Sequence, residues 1–189
     1  FVIVLKTLTR QPRKGNLCWW KLWTWLPWSP WSCVRFYKGG SVNKVGLTNK
    51  GIEWWCREVG PRLDYQKYRF IISIYGDEEE LVAMAEMLNS FGGLVGLEIN
   101  YSCPNSGEAI QETEALIKSV KAVKAITNFP LIVKVSVAQD YIAITRRLVG
   151  IAEAITLNSV PWEIICHGQK SPLWRLEKKV GGGGGGVWG

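Results

Sequence analysis

The stretch FIISIYGDEEELVAMAEMLNSFGGLVGLEINY, residues 70–101, contains the pattern from which the fold of this chain can be predicted. Its first and last runs, 70–76 and 94–101, are apolar and rich in β-branched residues, as is typical of strands buried on both faces. Between them, Asp77 and Glu80 have the spacing of a capping box at a helix start. The apolar positions that follow share one helical face: Leu81, Val82, Ala85 and Leu88. The stretch predicts a strand, a helix and a second, parallel strand.

The same alternation continues on both sides of this stretch. Further apolar runs occupy 1–7, 131–137 and 154–160, and Asp140 is placed to cap a helix before the last of them. Another helical face is formed by Leu116, Ile117, Val120, Val123 and Ile126. Repeats of roughly 25 to 35 residues are the spacing of βαβ units. An α/β fold follows, either an open doubly wound sheet or part of a (β/α)8 barrel, and periodicity does not separate the two.

Polar residues follow the predicted strands at their carboxyl ends. Lys6, Asn100 with Cys103, Lys134 and Asn158 all lie at or just after such an end. Barrels and open sheets both place their chemistry at this edge, so one site is predicted there. Because a complete barrel takes about 250 residues, a chain of 189 residues would be an incomplete one.

Composition excludes several other classes of protein. With 47% hydrophobic and 21% charged residues, a disordered or fibrous chain is not expected. The net charge of +7 suits a nucleic acid, an acidic lipid surface or an anionic small ligand, but the basic residues are scattered, so nucleic-acid binding is not expected. The sequence starts at Phe1 without an initiator methionine and stops at Gly189 after a glycine run, and we expect a fragment.

The cysteines indicate a reducing compartment. There are five, an odd number, without CxxC spacing and with His167 as the one histidine, so neither a disulfide framework nor a metal site is expected. Cys166 next to His167 is not expected to form a catalytic dyad, because neighbouring side chains usually diverge. No signal peptide and no uninterrupted apolar run of about eighteen residues is present, so we expect a cytoplasmic protein without membrane contact.

A tryptophan-rich insert at about 17–37 interrupts the alternation. Its densest part, CWWKLWTWLPWSPW at 18–31, holds six of the eleven tryptophans. Its lysine and two prolines exclude a membrane-spanning helix. Three interpretations remain: a loop packed on its own domain, a surface for self-association or, as the least expected of the three, contact with a membrane surface.

Several residues carry distinct chemical possibilities. Cys103 can be a small apolar residue or, with an accessible thiolate, a nucleophile or base. Asn100 and Asn105 offer amide donors and acceptors that suit a ring with alternating C=O and N–H groups, or they cap turns. Lys134 lies inside an apolar run, so either a ligand with negative charge or good acceptors lies near it, or it snorkels at the sheet edge. The glycine run at 181–186 is a linker or a loop that approaches a phosphate.

Five segments in order resemble the dihydroorotate dehydrogenase family: LKTLT at 5–9, SVNKVGLTN at 41–49, NYSCPN at 100–105, IVKVS at 132–136 and LNSV at 157–160. The cysteine in the third segment is similar to that of the class 1 enzymes. The resemblance implies a (β/α)8 TIM barrel, present over residues 1–189 as about five βα units, that binds FMN. It also implies oxidation of dihydroorotate to orotate in de novo pyrimidine (UMP) biosynthesis.

The resemblance also implies a role for individual residues. Cys103 would be the base that takes the C5 proton while hydride leaves C6 for the flavin. The residues expected to contact FMN are Lys6, Thr7, Asn100, Lys134 and Gly189. Those expected to bind the substrate ring and its carboxylate are Lys6, Asn43, Gly46, Leu47, Asn100, Asn105, Asn158 and Ser159.

Partners and departures follow from the same resemblance. We expect a small-molecule substrate, a homodimer and an iron–sulfur electron-transfer subunit, with fumarate or NAD as alternative electron acceptors. Trp188 stands where the family commonly has serine, and the first strand and last two strands are missing, so the chain as given is expected neither to close a barrel nor to hold FMN tightly. The alternatives are a dihydropyrimidine dehydrogenase-like flavoenzyme, in which histidine is typical at the position of Asn105, and a non-catalytic fragment or interaction protein.

Overall fold

The computed structural model describes residues 1–17, 32–37, 40–101, 113–158, 160–173 and 186–188. Most of the tryptophan-rich segment and of the glycine run lies outside these residues. The strands are β1 (Val2–Val4), β2 (Val34–Tyr37), β3 (Gly40–Asn43), β4 (Arg69–Ile74), β5 (Leu94–Asn100), β6 (Leu131–Ser136), β7 (Ala154–Asn158), β8 (Val160–Pro161) and β9 (Gly186–Trp188). The helices are α1 (Ile52–Glu58), α2 (Glu78–Leu88), α3 (Thr113–Ile126), α4 (Tyr141–Leu148) and α5 (Trp162–Ile165), with a 3-10 turn at Gly60–Arg62.

The main sheet decides between the two folds that the sequence left open. It has five strands in the order β1-β4-β5-β6-β7, and every neighbouring pair is parallel. The strands follow one another in chain order, without the reversal that defines a doubly wound sheet. This order is that of a (β/α)8 barrel, so the chain contains an incomplete barrel, as the family resemblance implied.

The two faces of this sheet differ in chemistry. One face is apolar and packs against the helices, with Leu97, Ile99 and Val133 fully buried against α2, α3 and α4. Side chains of this size each stabilise the fold by about 1.5–3 kcal/mol when buried. The other face carries Ser73 opposite Glu98 in the pairing register, and Asn100 opposite Lys134. Because side chains alternate along a strand, all four lie on the face away from the helices.

The helices α2 and α4 begin where the sequence predicted. Asp77 caps α2 by accepting a hydrogen bond from the backbone N–H of Glu80, and the Glu80 carboxylate accepts one from Asp77. Asp140 caps α4 through the backbone N–H of Ala143. The helix α4 ends at Leu148, because Val149 is extended and Gly150 adopts a positive φ of 76°.

Burial differs from the expectation at the two outer strands. β4, β5 and β6 are largely buried, but Val2 and Val4 of β1 are 55% and 52% exposed, and Leu157 of β7 is 47% exposed. Both strands lie at an edge of the sheet and have a neighbour on one side only. The apolar runs therefore identified the strands correctly but did not show how deeply each strand is buried.

A smaller antiparallel sheet was not predicted from the sequence. Its order is β2-β3-β9-β8, and it packs around a separate buried cluster of Cys33, Val42, Trp162 and Leu173. β2 lies within the range 17–37 assigned to the insert. The turn between β3 and α1 leads from this sheet back to the main one.

Candidate functional site

Five of the predicted site residues lie along the carboxyl ends of the parallel strands, here called the carboxyl edge. Lys6 and Thr7 follow β1, Asn100 ends β5, Lys134 lies in β6 and Asn158 ends β7. Three of these five belong to one hydrogen-bonded group, and the group contains two residues that were not predicted.

That group, called the rim network, consists of Thr7, Ser73, Glu98, Asn100 and Lys134. Lys134 Nζ donates to Glu98 Oε1 at 2.6 Å, and Ser73 Oγ donates to the same oxygen at 2.6 Å. The hydroxyl oxygens of Thr7 and Ser73 are 2.9 Å apart, and Asn100 Nδ2 donates to Thr7 Oγ1 at 3.0 Å. Four adjacent strand ends are thereby tied together by side chains.

The direction of each hydrogen bond follows from the donors available. A hydroxyl has one proton, and Ser73 gives its proton to Glu98, so Thr7 must donate to Ser73. The oxygen of Thr7 then accepts from the amide of Asn100. The hydrogen bonds therefore run from Asn100 through Thr7 and Ser73 to Glu98. Lys134 donates a further hydrogen bond to the same Glu98 oxygen.

The side chains of the rim network need these hydrogen bonds because they are buried. The side chains of Glu98 and Lys134 are 5% and 13% exposed, while Ser73 is fully buried and Thr7 and Asn100 nearly so. Removing a carboxylate from water costs several kcal/mol unless charges and hydrogen bonds compensate. Here a cation and a hydroxyl compensate on one oxygen, which fixes the position of both charged groups.

The environment of Lys134 adds an internal partner to the alternatives drawn from the sequence. A nearby ligand and snorkelling were considered, and the structure shows that an internal acid, Glu98, also contacts the lysine. The signal that was available is a charged residue in each of two neighbouring apolar runs, LVGLEIN and LIVKVS. An ammonium group has three donors, and Glu98 takes one of them.

A second group of predicted residues lies in the turn after β3. Asn43 accepts a hydrogen bond from the backbone of Val45 at 3.5 Å. Gly46 and Leu47 both have a positive φ, of 71° and 54°. A left-handed conformation at a residue such as leucine costs about 1–3 kcal/mol and persists where surrounding contacts impose it.

The contacts that impose this turn come from Asn49. Its amide donates to the carbonyl of Leu47 at 2.6 Å and to Thr9 Oγ1 at 2.9 Å. Its oxygen accepts from the backbone N–H of Gly51 at 2.8 Å. Because Thr9 lies two residues after Thr7, the turn at 43–47 is held to the end of β1 and so to the carboxyl edge.

The remaining predicted residues are placed unequally. Lys6 is exposed, and Asn158 lies half-buried opposite Ser136 in the register of β6 and β7. Cys103, Asn105, Ser159 and Gly189 lie outside the described residues. Tyr101, two positions before Cys103, is buried, and its backbone N–H donates to the carbonyl of Lys134 at 2.8 Å. Burial raises the pKa of Tyr101 to about 12, so its hydroxyl stays protonated at neutral pH.

The carboxyl edge carries N–H donors of the kind that a heteroaromatic cofactor accepts. Within the described ranges there is no group of three or more histidine, cysteine or acidic residues that could hold a metal ion. A partly exposed ammonium and an amide lie together in the rim network, and their N–H groups are donors of the kind that ring carbonyl groups and negative charge accept. Lys134 and Asn100 are therefore two described residues whose donors suit a flavin ring. No helix in the part of the chain that the structure describes is long and apolar enough to cross a membrane.

Comparison with known proteins gives a consistent result. The family model described as dihydroorotate dehydrogenase matches residues 2–187. Three relatives named "Dihydroorotate dehydrogenase B (NAD(+)), catalytic subunit" illustrate the similarity. That of Desulforudis audaxviator is 33% identical over 71% of this chain and 41% of its own length. That of Thermodesulfovibrio yellowstonii is 30% identical over 86% and 52%, and that of Solidesulfovibrio magneticus 31% over 95% and 57%. The chain thus spans about half the length of these relatives.

Proposed function

The chain belongs to the dihydroorotate dehydrogenase family, and we propose that the complete protein oxidises dihydroorotate to orotate with FMN as cofactor, in de novo pyrimidine biosynthesis. The observation that carries the proposal is the rim network, which joins Lys134, Asn100 and Thr7 at the carboxyl edge of an incomplete (β/α)8 barrel. Active sites of such barrels lie at this edge. Residues 1–189 are proposed to form one partial barrel domain, with the insert at about 17–37.

The proposed division of roles follows the chemistry of the side chains. Cys103 acts as the base that takes the C5 proton, which suits a thiol because its ordinary pKa of about 8.5 lies close to neutrality. Lys134 presents a cation to the cofactor, and Asn100 and Thr7 fix its surroundings. FMN supplies the ring that accepts the hydride from C6. Lys6 and Gly189 complete the proposed contacts with the cofactor.

Substrate binding is proposed for residues that surround the same edge. The group comprises Lys6, Asn43, Gly46, Leu47, Asn100, Asn105, Asn158 and Ser159. Support comes from the link between Asn49 and Thr9, which holds the turn at 43–47 near the end of β1. Amides suit the alternating C=O and N–H groups of the substrate ring, and the exposed cation of Lys6 suits its carboxylate.

Partners are proposed from the names of the relatives, which describe catalytic subunits of an NAD(+)-linked enzyme. We propose that electrons leave this protein through an iron–sulfur electron-transfer subunit to NAD, and that the catalytic subunit forms a homodimer. A cytoplasmic location is part of the same proposal.

A spectroscopic experiment on the complete protein tests the function. The protein is expected to bind FMN, and anaerobic dihydroorotate is expected to bleach the flavin absorbance. Cys103→Ala is expected to retain FMN but to lose most of this bleaching at neutral pH. Cys56→Ala is the matched control, because Cys56 lies on α1, packs against the hydrophobic core and is not part of the rim network, and burial raises the pKa of its thiol.

Two results would contradict the proposal. A protein that gains no flavin absorbance when FMN is added cannot be this enzyme. Bleaching by dihydrouracil in place of dihydroorotate would instead indicate a dihydropyrimidine dehydrogenase-like enzyme. Undiminished bleaching in Cys103→Ala would remove Cys103 from the role of base while leaving the reaction itself in place.

A further inference from the structure

Glu98 is a buried acid at the centre of the rim network that none of the proposed substrate or cofactor roles includes. It is 4% exposed and lies two residues before Asn100 on the same face of β5. A buried carboxylate is kept charged only where cations and donors surround it. Its presence beside the proposed flavin-contacting lysine therefore needs a reason.

The contacts of Glu98 show what the carboxylate does to its neighbours. One oxygen, Oε1, accepts from both Lys134 Nζ and Ser73 Oγ at 2.6 Å. Ser73 is itself held by Thr7, and Thr7 by Asn100. The carboxylate is thus fixed by donors from β4 and β6, and it fixes the end of a long flexible side chain in return.

We propose that Glu98 is a positioning residue that acts through Lys134: it fixes the ammonium group at the carboxyl edge and offsets most of its charge. The inference rests on the proposed function, since it concerns how strongly the carboxyl edge stabilises negative charge on the bound cofactor. An unpaired lysine would stabilise the reduced, more negative flavin strongly, whereas a lysine paired at 2.6 Å acts as one end of a dipole. The pair, rather than the lysine alone, then sets the reduction potential of the cofactor.

The test is a double-mutant cycle on the complete protein loaded with FMN. Glu98→Gln keeps the shape and the acceptor oxygen but removes the charge, so the midpoint potential of bound FMN is expected to become more positive. Lys134→Met is expected to make the potential more negative. In the Lys134→Met background, Glu98→Gln is expected to add no further shift, because the ammonium group through which Glu98 is proposed to act is absent.

The matched control is Glu153→Gln, which removes the same charge from a lysine pair of the same length, 2.6 Å, at the other end of β6. It is expected to leave the potential unchanged. Far-UV circular dichroism and thermal unfolding check that each variant folds. If Glu98→Gln does not fold, the double variant still can, because it retains neither member of the pair, and its potential is expected to equal that of Lys134→Met.

The outcomes separate this inference from the function on which it rests. An unchanged potential in Glu98→Gln, or an equal shift in both backgrounds, would overturn the role of Glu98 while FMN binding and dihydroorotate oxidation stand. A complete protein that binds no FMN would overturn both. A positive shift that disappears without Lys134 is the expected result.

Discussion

The two ends of β6 each meet a lysine–glutamate pair, and the pairs differ in all but their length. At the carboxyl end, Lys134 contacts Glu98 at 2.6 Å, with side chains 13% and 5% exposed. At the amino end, Lys124 contacts Glu153 at 2.6 Å, with side chains 33% and 48% exposed. An exposed pair contributes about 0–1 kcal/mol, whereas a buried pair contributes little net stability but is strongly destabilising when one member is lost. Distance alone therefore does not tell a structural contact from a functional one.

Lys134→Met is expected to have the largest effect on stability. It leaves Glu98 buried without its cation, which should lower the free energy of unfolding by about 3–5 kcal/mol. Urea unfolding of the complete protein at neutral pH measures this. A loss below about 1 kcal/mol would place the buried pair in the same class as the exposed one.

Removing the second charge should reverse much of that loss. The variant Glu98→Gln with Lys134→Met has no buried charge, so it is expected to regain about 1–4 kcal/mol relative to Lys134→Met alone. The same urea unfolding measurement applies. The expectation fails if the double variant is less stable than the single one, since the two losses would then be independent.

Glu153→Gln tests the amino end and is expected to cost about 1 kcal/mol or less. Lys124 and the backbone N–H of Leu131 lower the pKa of Glu153 from its ordinary value of 4.5. Because the folded-state pKa is depressed, the contribution is present above about pH 4.5 and is lost as the pH falls through the lower folded value. The free energies of unfolding of the wild type and the variant, measured between about pH 3 and pH 7, should therefore become equal at the low end of this range.

Lys124→Met is expected to have the smallest effect, about 0.5 kcal/mol, because solvent screens the exposed partner. The difference from the wild type should shrink further in 1 M salt, where the Debye length is about 3 Å. Thermal unfolding at low and high salt measures it. A large effect that does not depend on salt would show that the methylene stem of Lys124, rather than its charge, stabilises the amino end.

The sequence predicted the main sheet because its information is local. Each of the five apolar runs contains a strand, and Asp77 and Asp140 cap their helices as expected. The helix α1 was missed because Gly51 precedes it without a side-chain cap and the helix has seven residues, too few for a clear periodicity. The antiparallel sheet was missed because β3 pairs with β9 from the far end of the chain.

The rim network shows a different limit of prediction from sequence, because its contacts join residues on separate strands. Lys134 was identified as a candidate because an ammonium in an apolar run needs an explanation, but Glu98 was passed over although it presents the same anomaly. Their contact joins residues separated by 36 positions on neighbouring strands. Strand register, which brings Asn100 opposite Lys134, is not readable from either segment alone. The residue types in the sequence therefore identified the carboxyl edge as the site. The strand register in the structure identified Glu98 as the partner of Lys134.

The order of the main sheet also has a consequence for how the chain folds. β4, β5, β6 and β7 pair with neighbours one βα unit away, so their loops close over short stretches. β1 pairs with β4 across the whole segment that holds the tryptophan-rich insert and α1. Because loop closure grows entropically more costly with length, the four later strands should assemble first and β1 should join them last. Because Thr7 follows β1, the hydrogen bonds of Thr7 should form in this last and slowest step of folding. The contact between Glu98 and Lys134 should already exist at that stage.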